Sequence, residues 1–230
     1  MKIEAIAVDI DGTITDSKRR ICISAIEAIR KAEEKNVPVI IVTGNLVTYG
    51  YAASVLIGCS GGVVSENGGV VYNNDKIEIL VNRKYVDEAN DYLIGKLGKK
   101  LKKQESNDNN YRESEIVYYK DIPKKLLTEN LKGFENLDKI EIYDSGFALH
   151  LTDKRVNKGT SLKYLCEKNN INIDNVMAIG DSENDIDFLK VAGHKIAVGN
   201  ADEELKEESD YVCEKSYGDG VKEAIEKFVL

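Results

Sequence analysis

Two carboxylates stand two residues apart in Asp9-Ile10-Asp11-Gly12-Thr13, directly after the apolar run 3–8. If that run is an extended strand, side chains alternate, so Asp9 and Asp11 project to the same side and Gly12 lets the chain turn at once. Carboxylates held so close repel, and a divalent cation or a retained proton relieves them. Either remedy is chemically useful, the first for binding phosphate and the second for acid/base work. A solvated Asp-Gly turn accounts for the same residues equally well on this stretch alone. A calcium loop of the EF-hand type does not, since it wants an acidic or amide residue where Thr13 stands, Gly where Ile14 stands and Glu where Arg20 stands.

The elements that would hold these residues follow a strand–helix rhythm. Ser24 and Glu27, in capping-box spacing, open a helix running to about Asn36. The β-branched run 37–42 reads as a strand buried on both faces and ends at Thr43-Gly44-Asn45. A helix over about 46–57 stops at Gly58, and 63–65 reads as a third strand before the turn Glu66-Asn67-Gly68-Gly69. Runs 70–72 and 77–81 flank Asn73-Asn74-Asp75 as a hairpin. From Arg83 to about Thr152 the rhythm changes to helix, polar loop, strand, helix and hairpin, a small α+β unit of its own. It resumes with a helix opened by Lys158 and a strand, 176–179, ending at Gly180-Asp181-Ser182-Glu183-Asn184-Asp185. Further strands at 196–198 and 211–213, with helices from Asp202 and about Asp219, close the chain. The fold class is therefore α/β: a doubly wound, Rossmann-like parallel sheet over residues 1–82 and 154–230, interrupted by a smaller α+β domain over 83–153.

Composition narrows the function classes. The 230 residues are enough to bury a substantial core, and 42% hydrophobic with 31% charged is an ordinary balance for a water-soluble protein. A net charge of −8 argues against nucleic acid, and the most basic piece, 96–103, sits beside the polar run 104–110 as a solvated helix end and loop. Cys22, Cys59, Cys166 and Cys213 are scattered without metal spacing and read as small core residues. The apolar runs are strand-sized, so no membrane segment is expected and a cytoplasmic location is.

Ligands in open parallel sheets bind outside the carboxyl ends of the strands. Asp9, Asp11, Thr43 and Asp181 all fall at such ends, and Lys158 opens a helix, a coincidence that outweighs the solvated-turn reading. Oxygen ligands without nearby histidine or cysteine point to a hard cation, and Mg²⁺ with a few carboxylates plus substrate phosphate fits. Thr43, the backbone N–H groups around Gly44 and Asn45, and the Lys158 charge would serve the phosphate.

These segments together resemble the haloacid dehalogenase superfamily of phosphatases: Asp9-Ile-Asp11-Gly-Thr, Val42-Thr43-Gly44, Asn157-Lys158-Gly159 and Gly180-Asp181-Ser-Glu-Asn184-Asp185 match its four motifs in order. The resemblance implies a hydrolase in which Asp9 is the nucleophile and Asp11 the general acid and then base. It implies Mg²⁺ on Asp9, the Asp11 carbonyl, Asp181 and Asp185, although Asp185 could instead orient Lys158 or a metal-bound water. Thr43, Gly44, Asn45, Lys158 and Asn184 become the substrate-binding set, with Asn45 standing where many members carry Arg. The 83–153 insert matches the position of a cap that covers the leaving group. Its size and the Glu66-Asn67-Gly68 turn resemble the archaeal-type phosphoglycolate phosphatases, which implies 2-phosphoglycolate as substrate; a sugar phosphate, a phosphomutase reaction and, last, a non-catalytic phosphate-binding module are the alternatives.

The partner expected is thus a small phosphorylated metabolite, with no nucleic acid and no membrane, and a homodimer stays open. Arg83, Arg112 and Arg155 are candidates for a substrate carboxylate by charge alone and are otherwise surface residues. His150 and His194 read as structural, Tyr118, Tyr119 and Tyr143 as packing residues, and Glu183 and Asp187 as a solvated helix start.

Overall fold

The computed structural model describes residues 2–102 and 105–230, so Lys103 and Gln104 of the basic and polar runs lie outside the described residues. In chain order the first half comprises β1 (Ala5–Val8), α1 (Ile23–Glu34), β2 (Val39–Val42), α2 (Val47–Ile57), β3 (Val63–Ser65), β4 (Val70–Asn73) and β5 (Lys76–Ile79). Then come α3 (Lys84–Leu97), α4 (Lys99–Lys102), β6 (Ile116–Tyr119), α5 (Lys124–Leu131), β7 (Ile140–Asp144) and β8 (Ala148–Asp153). The chain ends with α6 (Lys158–Lys168), β9 (Val176–Gly180), α7 (Ile186–Val191), β10 (His194–Ala197), α8 (Glu203–Glu207), β11 (Tyr211–Val212) and α9 (Tyr217–Phe228).

The main sheet has the order β11-β10-β9-β1-β2-β3-β4-β5, parallel from β11 to β3 and antiparallel at the β3–β4–β5 edge. Strand alternation sorts its residues into two cores. Ile6, Val8, Val39, Ile41 and Val63 pack against α1, α2 and α9, whereas Ala5, Ala7, Ile40, Val42 and Val64 pack against α6, α7 and α8. Each fully buried Ile or Val contributes roughly 1.5–3 kcal/mol to holding these layers. The order reverses at β1, which has β2 on one side and β9 on the other. Asp9 continues the Ala5–Ala7 parity and therefore emerges on the α6 side.

One local expectation fails. The Ser24–Glu27 capping box does not form; α1 starts at Ile23 with Cys22 as its N-cap, and no side chain caps it. The start is set by the backbone instead, through Cys22 N–H to the Ile14 carbonyl and the Thr15–Ile21 bridge that closes the preceding loop.

Residues 84–153 build a second sheet, β6-β8-β7, all antiparallel. One face carries Ile116, Tyr118, Ile140, Ile142, Leu149 and Leu151 against Val86 and Leu93 of α3 and Leu127 and Leu131 of α5. The other face carries Val117, Tyr119, Ala148 and His150, which line a cavity of about 230 Å³ shared with Asp9, Asp11, Gly44 and Asn45 of the main sheet's loops. A polar seam joins the two units. Glu66 accepts from Glu113 N–H, Ser114 N–H and Ser114 Oγ at 3.0, 2.9 and 2.8 Å. Glu66 and Asn67 both have left-handed backbone, φ 49° and 51°, strain that aims their side chains at this seam. Burial and the neighbouring Glu115 push the Glu66 carboxyl up to about 7. Glu183 and Asp187 are not a free solvated helix start: Glu183 accepts from Lys124 Nζ at 2.8 Å and Asp187 from the Tyr143 hydroxyl at 2.7 Å.

Candidate active site

Asp9, Thr43 and Asp181 directly follow β1, β2 and β9, three adjacent parallel strands. Lys158 opens α6, where Asn157 caps the helix by accepting from Thr160 N–H and Gly159 passes so close to Asp187 that a Cβ would lie 2.2 Å from its carbonyl oxygen. The Lys158 ammonium, 1% exposed, donates to Asp9 Oδ1 at 2.8 Å and to Asp185 Oδ1 at 2.6 Å. Asp185 Oδ2 accepts the N–H groups of Asp181 and Ser182 at 2.9 and 3.2 Å. Asp181 Oδ1 accepts from Thr13 Oγ1 at 2.8 Å. Gly12, at φ +89°, lets the Asp loop turn against Asp181: a Cβ there would sit 2.2 Å from Asp181 Oδ2.

The electrostatics of this cluster are unbalanced. Burial, then the Asp185 charge, pushes the Asp9 carboxyl well above its usual range despite Lys158, and the same causes push Asp181 up to about 8. Burial works against the Lys158 charge as well, but Asp185 and Asp9 more than offset it and hold the ammonium charged. Asp9, Asp181 and Asp185 each bring an oxygen within 4.8 Å of the others, and the one ammonium among them bonds only Asp9 and Asp185. An all-oxygen, net-negative, desolvated set of this kind fits a hard divalent cation, which would supply the missing positive charge.

Asp11 lies on the cavity side of Asp9. Its Oδ1 accepts from Arg19 Nε at 2.8 Å and its Oδ2 from Asn45 Nδ2 at 2.5 Å. Asn45 N–H and Nδ2 both reach Thr43 Oγ1, at 3.1 and 3.2 Å, and α2 begins only at Val47. The anion-facing groups expected at a helix N-terminus therefore belong to the loop before it. Asn184 reaches the Asn67 side chain at 3.3 Å and lines the cavity.

Several cavity residues depart from expectation. Arg112 is not a surface residue but 6% exposed, bound to the Gly44 carbonyl at 3.0 Å, to Asp108 at 2.8 Å and to Glu115. Arg83 and Arg155 lie off the cavity, spent on Asp87 and Asp153. His150 is buried and lines the cavity rather than only packing, and Tyr119 lines it too. Arg19, Glu115, Asn67 and Asn200, whose Nδ2 donates to the Gly12 carbonyl at 2.9 Å, carry no spacing signal that ties them to the Asp motif.

Comparison with known proteins agrees with this geometry. The family model for haloacid dehalogenase-like hydrolases matches residues 6–144 and 82–225. The chain is 68% identical over 234 aligned positions to the phosphoglycolate phosphatase of Methanobrevibacter smithii, covering 100% of both chains. It is 49% identical to the protein of that name in Methanothermobacter thermautotrophicus, with 98% of each covered. Among solved structures it superposes on Thermoplasma acidophilum 0175 with a TM-score of 0.86 at 28% identity and 99% coverage of both, and on a haloacid dehalogenase-like hydrolase from B. subtilis with a TM-score of 0.80 at 21% identity, covering 99% and 100%.

Proposed function

The chain belongs to the haloacid dehalogenase-like hydrolases as a phosphatase, and we propose that it converts 2-phosphoglycolate to glycolate and phosphate through an aspartyl-phosphate on Asp9, with Mg²⁺ as its metal. The substrate reading is supported by the name borne by relatives that match over the whole chain. The observation that carries the mechanism is the buried grouping of Asp9, Asp181 and Asp185 about Lys158.

In this reading Asp9, the Asp11 carbonyl, Asp181 and Asp185 would hold the metal, which would supply positive charge against the transferring phosphoryl group. Lys158 occupies Asp9 Oδ1, and Asp9 Oδ2 has no hydrogen bond among the described residues, leaving it available to attack phosphorus. Lys158 and Thr43, with Gly44 and Asn45 beside it, hold the phosphate oxygens. As the P–O bond to the alcohol breaks, Asp11 gives its proton to the leaving oxygen. Asp11 then takes a proton from the water that attacks phosphorus, freeing Asp9 and phosphate. Arg19 and Asn45 grip the two Asp11 oxygens and set its orientation. Residues 83–153 act as the cap, whose sheet roofs the leaving-group side of the cavity.

The test is phosphate release from a panel of small esters with and without Mg²⁺. Metal-dependent release, fastest with 2-phosphoglycolate and lost in Asp9→Asn, is the expected result; Asp11→Asn should lower kcat about 10²–10⁴-fold while metal binding persists. Near-normal turnover in either variant would overturn the mechanism, and a sugar phosphate outpacing 2-phosphoglycolate would overturn the substrate.

A further inference from the structure

We propose that His150, oriented by Glu115 and seconded by Arg112, is the group through which the cap reads the substrate's carboxylate. The inference rests on the function proposed above. It begins with the register of the cap sheet. Leu149 and Leu151 of β8 point into the cap core, so His150 between them points to the opposite face, beside its β6 partner Val117 and into the cavity roof.

The two ring nitrogens have different surroundings. Nδ1 lies 3.2 Å from both Glu115 oxygens, and Nε2 lies 3.3 Å from Oγ of Ser145, a cavity residue. Glu115 is fully buried and is itself held by Asn67 Nδ2 at 2.9 Å and by Arg112. A buried carboxylate on Nδ1 takes the hydrogen there, which leaves Nε2 for a ligand, and an anion entering beneath the cap binds it through a second N–H. An anionic ligand gives that second N–H an acceptor on the side of the ring away from Glu115, and the resulting bond is charge-assisted.

Arg112 adds the second cation. Its NH1 and NH2 are taken by Gly44, Glu115 and Asp108, but its Nε is buried without a hydrogen-bond partner among the described residues. Asp108, which also lines the cavity, accepts from Arg112 and Ser106. Arg19, the other arginine on the cavity, places its Nε on Asp11 and its guanidinium 5.4 Å from the Phe147 ring centroid. Phosphate is served at the Asp9 end and carboxylate at the His150 end, which sets the polarity of the bound substrate.

Two measurements decide it. In steady-state kinetics of the Mg²⁺-loaded enzyme, 2-phosphoglycolate is compared with 2-hydroxyethyl phosphate, which has an alcohol in place of the carboxylate. His150→Gln should lower kcat/KM for 2-phosphoglycolate about 10- to 100-fold, chiefly through KM, and leave the hydroxyethyl ester within about threefold. Parallel losses on both esters, or no loss on either, would overturn the assignment. Wild-type enzyme inactive on every ester would instead overturn the function on which it rests. The second measurement needs no variant at that position. The chain has two histidines, so ¹⁵N spectra of the imidazoles, assigned with His194→Gln, report His150 directly. Glycolate should move the His150 signals toward the imidazolium pattern and ethylene glycol should not; glycolate inhibiting turnover with both histidines unmoved would refute the role.

Discussion

Replacing Lys158 by Met removes the ammonium that Asp9 and Asp185 share at 2.8 and 2.6 Å while keeping a side chain of similar reach. Both carboxylates and the ammonium are almost wholly shielded from water, so the loss leaves buried negative charge with no counterion. Breaking such a pair from one side costs about 3–5 kcal/mol. At about 2–4 °C per kcal/mol for a chain of this size, the metal-free variant should melt about 6–20 °C below wild type near neutral pH. The penalty shrinks as pH falls, because the carboxyls take up protons in place of the missing cation. Mg²⁺ at a hundred times its Kd adds about 2.7 kcal/mol to either protein, so the difference narrows only as far as the variant binds the metal more tightly. Turnover should nevertheless fall by about 10²-fold or more, since the proposed mechanism loses a donor to the transferring phosphoryl group. The assay is thermal unfolding followed by circular dichroism in EDTA and in Mg²⁺, at several pH values, alongside phosphate release. A metal-free melting point within about 2 °C of wild type, or a penalty that grows as pH is lowered, would refute this account of the cluster.

The pH response of the wild type follows from the same charges. Asp9 and Asp181 hold protons in the folded, metal-free protein that the unfolded chain releases near the ordinary carboxylate value. Metal-free stability should therefore fall as pH rises from about 4 to 8, and stabilisation by Mg²⁺ should grow over the same interval. Asp16, drawn down to about 2 by Arg20, acts in the opposite sense, but its contribution is lost only below that window. Melting curves with EDTA and with Mg²⁺ that stay parallel across pH would contradict the linkage. Gly12→Ala forces a Cβ into left-handed backbone and onto Asp181, and should cost about 1–3 kcal/mol together with metal affinity; calorimetric titration with Mg²⁺ at wild-type strength would show that the loop absorbs it.

The half of the molecule that carries the Asp9 motif is legible in the chain because its logic is local. A β-branched run sets a strand, strand parity sends Asp9 to the α6 side, and a polar cluster at each strand end marks the edge where ligands bind. Asp9, Thr43, Lys158 and Asp181 could be picked out before any contact was known, since each lies where an element begins or ends. The start of α1 escapes this logic: Ser24 and Glu27 have the right spacing, but backbone contacts to the loop just before it set where the helix begins.

The side of the cavity lined by β6 and β8 belongs to tertiary structure. Arg83, Arg112 and Arg155 are alike in sequence, and only the docking of the 112–115 segment on Glu66, Asn67 and Gly44 buries one of them beside the cavity. His150 sits in a strand where periodicity tells that it faces away from Leu149 and Leu151, but not what lies opposite. Glu115 meets it across β6, α5 and β7 of intervening chain, and Arg19 meets Asp11 from a turn that has no spacing signature. Alternation along a strand is dictated by covalent geometry and survives in the sequence. Which face becomes a core and which roofs a site depends on how the two sheets are set against each other, and the buried polar seam between them fixes that arrangement.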